Sequence, residues 1–164
     1  MKNLSRWLAV GALVVGVLGF SFVPAWGDTK TKKEVVKMDD LPAPVKDAIT
    51  KEAGENKVTD LVLITKGDEK RYEAEWLAGG KKVEINVSAD GKVTEREAVV
   101  TIDQVPAPVK EVILREAGQN TILEVEEITD AAGNKTYEAE YKDAGKDVEL
   151  KIAADGKLLE KETE

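Results

Sequence analysis

The stretch YEAEWLAGGKKVEINV, residues 72–87, decides the fold. Two alternating runs flank Gly79-Gly80, a dipeptide suited to a two-residue hairpin, whose turn needs positive φ that glycine supplies freely. With the turn placed there, Trp76 faces Val83, Ala74 faces Ile85 and Tyr72 faces Val87. Those six side chains make one apolar face, because successive residues of a strand point to opposite sides. The glutamates fall on the other face, with Glu75 directly across from Glu84. A slip of one residue would turn every apolar side chain outward, so the pattern itself specifies the register.

The chain repeats this design as YEAEYKDAGKDVELKI, residues 137–152. The same rule applied to Ala144-Gly145 pairs Tyr141 with Val148, Ala139 with Leu150 and Tyr137 with Ile152, leaving Glu140 opposite Glu149 and Glu138 opposite Lys151. The similarity extends upstream. LPAPVKDAITKEAG (41–54) matches VPAPVKEVILREAG (105–118), and both read as short amphipathic helices. Pro42 and Pro44 are tolerated only in a first turn, where a missing N–H costs nothing. Val45, Ala48, Ile49 and Ala53 recur at helical spacing, and Gly54 stands where a C-terminal cap belongs. Four strands are predicted after each helix: 58–66, 70–78, 81–89 and 92–99, then 122–129, 135–143, 146–154 and 157–162.

The expected fold is α+β: two tandem repeats, each a helix packed on a four-stranded antiparallel meander, over residues 36–99 and 100–164. Units this small are marginal alone, so they are expected to pack or join sheet edges, with the helices on one side. The ADG turns at 89–91 and 154–156 suit three-residue hairpins with glycine in the left-handed position. That register sets Glu84 against Arg96 and Glu149 against Lys161, a basic residue beside each acidic pair. It also turns Glu95 and Glu160 toward the helix side, an awkward place for charge.

Residues 1–27 read as a secretory leader: Lys2 and Arg6 precede an apolar stretch over 8–23, and PAWG precedes the first acid, Asp28. The apolar stretch falls short of the roughly 20 residues that span a bilayer, although a retained anchor is the competing reading. Residues 28–35 are expected to be a flexible lead-in. Without Lys2 and Arg6, 22 basic residues of the original 24 face 32 acidic ones, a net charge of −10. Such a charge disfavours nucleic acid and anionic membranes and suits a basic partner or divalent cations.

The chain contains no histidine and no cysteine. Ser-His-Asp and Cys-His machinery, Cys/His zinc sites and disulfides are therefore excluded. Paired glutamates could in principle serve glycoside hydrolysis, but that chemistry needs two carboxyls in different environments. Glu73 and Glu75 have near-identical surroundings in this register, so no enzyme and no cofactor are predicted. The aromatics Tyr72, Trp76, Tyr137 and Tyr141 are expected under the helices, not on a stacking platform. The two DG dipeptides lack the carboxylate spacing of an EF-hand loop.

Taken together, the paired helix openings, the YEAEW and YEAEY strands, the ADGK turns and the tandem order resemble the PepSY-like family, also described as β-lactamase-inhibitor-protein-like. The resemblance covers nearly all of the chain after the leader. It implies an exported, non-enzymatic module that binds proteins or peptides, with peptidase or β-lactamase inhibition known among relatives. No family contact motif is matched, so no inhibitory residue is carried over. The candidate partner surface is Glu73, Glu75, Leu77, Glu84, Glu138, Glu140 and Glu149, facing an exported protein or peptide of basic character. A second reading has Glu75, Glu84, Glu140 and Glu149 binding calcium.

Overall fold

Both hairpins form in the register their alternation requires. Trp76 pairs with Val83, Ala74 with Ile85 and Tyr72 with Val87, and the second copy repeats the pattern. The computed structural model describes residues 31–163, so the expected leader lies outside the described residues. The helices are α1 (Ala43–Ala53) and α2 (Ala107–Ala117). The strands are β1 (Thr31–Val35), β2 (Val58–Lys66), β3 (Glu69–Ala78), β4 (Lys81–Ser88) and β5 (Val93–Val99). They continue with β6 (Ile122–Asp130), β7 (Lys135–Asp143), β8 (Lys146–Ala153) and β9 (Leu158–Thr163).

Each helix starts at its prolines. The Pro42 carbonyl accepts from the amides of Val45 and Lys46, both at 3.0 Å. Each ends at a left-handed glycine: Gly54 at φ 57° donates to Thr50 O, and Gly118 at φ 58° donates to Leu114 O. The buried stripe of α1 is Val45, Ile49 and Ala53, and that of α2 is Val109, Val112, Ile113 and Ala117. The proline openings and the ADG turns explain one another. A Cβ on Gly91 would lie 2.6 Å from Pro44 O, and one on Gly156 would lie 2.7 Å from Pro108 Cβ. Each turn is thus docked under the first turn of its helix, closer than any side chain allows.

The strands do not stop at four per unit. All nine form one antiparallel sheet in sequence order, with β5 joined to β6 at the centre. Both helices cover the same face. Val83 pairs with Ala98, Ala98 with Glu127 and Glu127 with Tyr137, so Val83 under α1 and Tyr137 under α2 point the same way. Two apolar clusters result. One gathers Val45 and Ile49 with Tyr72, Trp76, Ile85 and Val87; the other gathers Val109 and Ile113 with Tyr137, Tyr141, Leu150 and Ile152. The aromatics lie within these cores, since Trp76 is 1% exposed and Tyr141 2%.

Thr31–Val35, in the stretch expected to be a lead-in, is an edge strand. It pairs with β2 from Thr31 opposite Lys66 to Val35 opposite Val62. Sixty-four residues later Glu95–Val99 pairs with β6 from Glu95 opposite Asp130 to Val99 opposite Glu126. β1 is therefore the counterpart of β5, and the structural repeat extends one strand upstream of each helix.

One registration differs from the sequence reading. Val87 does pair with Val93, but the next ladder pair is Asn86 with Glu95, which leaves Thr94 as an extra residue in a β-bulge. The Thr94 hydroxyl donates to Asn86 O at 3.1 Å. Leu159 is the extra residue at the same point in the second unit. The bulge rotates everything beyond it by one position. Glu84 consequently faces Glu97, not Arg96, and Glu149 faces Glu162, not Lys161. Arg96 lies opposite Ile85 and Lys161 opposite Leu150, on the helix face, where the Lys161 ammonium donates to Glu116 of α2 at 3.1 Å. Glu95 and Glu160 move out to the open face, opposite Asn86 and Lys151.

Candidate functional site: the acidic open face of the sheet

The face away from the helices carries two rows of carboxylates. Asp60, Glu75, Glu84 and Glu97 stand directly opposite one another across β2, β3, β4 and β5. Glu124, Glu140, Glu149 and Glu162 do the same across β6, β7, β8 and β9. Directly opposed side chains on one face of an antiparallel sheet have Cβ atoms about 4.5–5.5 Å apart, where like charges repel. The sheet therefore holds a line of four acids per unit in mutual repulsion.

Burial sharpens that repulsion. Glu75, Glu84, Glu97, Glu124, Glu140 and Glu149 are all partly buried. The Glu97 carboxyl is pushed up to about 8, first by burial and then by Glu84, Glu126, Glu95 and Glu138. Glu84 is pushed up to about 7, first by burial and then by Glu73, although Lys82 opposes the shift. Glu149 also rises to about 7, through burial and then Glu138 and Glu162, with Lys151 opposing. Glu75 and Glu124 move the same way, burial again leading.

Basic side chains relieve some of the face. Lys82 of β4 forms an ion pair with Glu126 of β6 at 3.1 Å, bridging the two units across β5. Glu126 is only 4% exposed. The Lys151 ammonium donates to Glu138 at 2.7 Å, as the hairpin register anticipates. Lys33 of β1 reaches Glu73 at 3.9 Å. At the register position of Lys33, β5 carries Glu97. In the first unit Asn86 takes the place of Lys151 and donates to Glu95 at 3.2 Å.

Of the residues singled out from sequence, Glu73, Glu75, Glu84, Glu138, Glu140 and Glu149 all lie on this face. Leu77 joins them at one end, opposite Lys82 and 53% exposed. The hairpin reading did not find Asp60, Glu97, Glu124, Glu126 or Glu162. The signal for Glu97 was present in its neighbour: Ala98 belongs to the apolar face, which forces Glu97 outward. Among the described residues no group of three or more acids is arranged to hold a metal ion.

Two concavities meet at Glu124. One is an acidic depression lined by Glu124, Glu126, Glu138, Glu140 and Glu149. The other is an apolar groove of about 230 Å³ at the junction of the units, lined by Val99, Val100, Ile102, Ile122, Leu123 and Val125, with Glu124 at its side; Val100, Ile102 and Ile122 also pack against the core under α2.

Three similar solved structures share this arrangement of elements. A protein from Bacteroides eggerthii DSM 20697, described as "putative periplasmic", is 14% identical with a TM-score of 0.63, covering 75% of this chain and 88% of that one. A DUF2874 family protein from Bacteroides uniformis ATCC 8492 is 15% identical with a TM-score of 0.62, covering 75% and 89%. A BLIP-like protein from Bacteroides fragilis NCTC 9343 is 18% identical with a TM-score of 0.58, covering 75% and 86%. Likeness at these identities is a likeness of fold. No curated protein matches the chain. The family model described as "Putative beta-lactamase-inhibitor-like, PepSY-like" matches twice, over residues 18–94 and 70–160. Those two overlapping stretches take in both helices and their strands, and the chain belongs to the PepSY-like family.

Proposed function

We propose that this protein is an exported, non-catalytic binding module whose open sheet face takes a basic segment of another exported protein or peptide, in the manner of a peptidase-type inhibitor or regulator. The observation that carries the reading is the pair of four-carboxylate rows. Holding Glu84, Glu97 and Glu149 partly buried and opposite other acids costs folding free energy, and cationic side chains laid across them would recover it. Lys33, Lys82 and Lys151 already pair in this way with Glu73, Glu126 and Glu138 of the same face. The expected leader at 1–27 and the periplasmic description of one similar structure support export.

The test is recovery of partners from exported proteins by the wild type and by a variant carrying Glu75→Gln, Glu84→Gln, Glu140→Gln and Glu149→Gln. A protein bound by the wild type and released by the variant supports the reading, as does release by raised salt. Equal capture by both would sink it. The divalent-cation alternative draws on the same opposed carboxylates. Thermal melts with and without millimolar calcium decide it, because a ligand of the native state must raise stability.

A further inference from the structure

We propose that the partner segment places an apolar side chain in the junction groove, beside basic residues that lie on the acidic row. This rests on the binding reading above and specifies its chemistry. A bulge in β6 borders the groove. Ile122 pairs with Tyr141 and the next pair is Glu124 with Glu140, so Leu123 has no place in the ladder and stands 51% exposed. Val99 and Val100 line it where the chain runs past β5, with Val100 donating to Val125 O at 2.9 Å. The corresponding bulge residue of the first unit is Thr59, whose hydroxyl donates to Glu75 O at 3.1 Å. The apolar substitution thus belongs to the junction.

Size and charge select the occupant. At about 230 Å³ the groove is below the roughly 300–1,000 Å³ usual for small-molecule pockets, which suits one side chain of a larger partner. Glu124 lines both the groove and the acidic depression, so a residue seated against Leu123 has neighbours beside Glu124 and, directly across the ladder from it, Glu140. A sequence that alternates lysine or arginine with a bulky aliphatic or aromatic residue is complementary to the groove and to the carboxylate row beside it at once. An acidic or uniformly apolar partner is not.

The experiment is an NMR titration of the protein at low salt with a synthetic pentapeptide, blocked at both ends, that has leucine between two pairs of lysines. Two control peptides replace the leucine by serine or all lysines by glutamine. Methyl signals of Val99, Ile102, Ile122 and Leu123 are expected to shift with the parent peptide. Serine in the peptide, or Leu123→Ser in the protein, is expected to weaken binding about tenfold, as for a buried anchor. Leu123 is exposed, so its replacement leaves folding intact; Glu124→Gln provides a second variant and is expected to weaken binding about threefold. Equal binding of the serine peptide overturns the groove while leaving the acidic face in place. Equal binding of the glutamine peptide overturns both. Groove methyl shifts that depend on protein concentration without peptide would make the groove a contact between copies and also overturn the proposal.

Discussion

Replacing Glu97 by glutamine is expected to stabilise the protein at alkaline pH and to do little in acid. Glu97 faces Glu84 across β4 and Ile128 across β6, and its carboxyl is raised from an ordinary 4.5 to about 8. A carboxyl with a folded pKa above its unfolded one binds more protons in the native state between those values. Stability therefore falls as pH rises from about 4.5 through about 8. At 1.36 kcal/mol per unit the full shift would correspond to a ceiling of about 5 kcal/mol. Glu84 relaxes when its neighbour is neutralised, so the titrations are shared and the gain is expected near 2 kcal/mol at pH 9. Below pH 4.5 the carboxyl is protonated in both states and the substitution should be close to neutral. Urea unfolding followed by circular dichroism at pH 4, 7 and 9 measures this, with unchanged slopes confirming comparable unfolding. Wild-type stability should itself decline from pH 5 to pH 9. Asp130, held below its ordinary value chiefly by the Asn134 side-chain amide, acts in the opposite sense only in stronger acid. A Glu97→Gln variant that is less stable at pH 9, or equally altered at every pH, would refute the reasoning.

Three further outcomes are expected. Gly91→Ala should cost about 2 kcal/mol or more in urea unfolding, because φ is +86° and the new methyl meets Pro44; Gly133→Ala, at φ +85° in open space, should cost less. Lys82→Met should lower stability by about 3 kcal/mol at pH 8, because it strands the buried Glu126 carboxylate. Trp76→Ala should cost about 3–5 kcal/mol in the same assay, and Leu77→Ser on the open face should be nearly neutral.

The elements were legible in the sequence because each obeys a local rule. Strand β2 spans Val58–Lys66 and β7 spans Lys135–Asp143, as alternation and turn residues indicate, and the other predicted ends differ from the observed ones by no more than a residue. The hairpin pairings followed from Gly79-Gly80 and Ala144-Gly145. β1 was not legible, because its five residues are all exposed and four of them are charged or polar, a composition shared by lead-in segments and guarded sheet edges.

What the sequence determined by itself is the duplicated helix and hairpin, and with them the face on which Glu75, Glu84, Glu140 and Glu149 stand. Period and turn chemistry act within a few residues, so they need no distant partner. Only the tertiary structure decided which charges meet across β4–β5 and β8–β9. There the extra residues Thr94 and Leu159 bring Ala98 and Lys161 under the helix side and send Glu97 and Glu162 outward. A bulge conserves the turn and changes everything after it, and packing Ala98 against Val83 selects it. The junction groove likewise exists only because β5 joins β6, a contact between residues that no local pattern links.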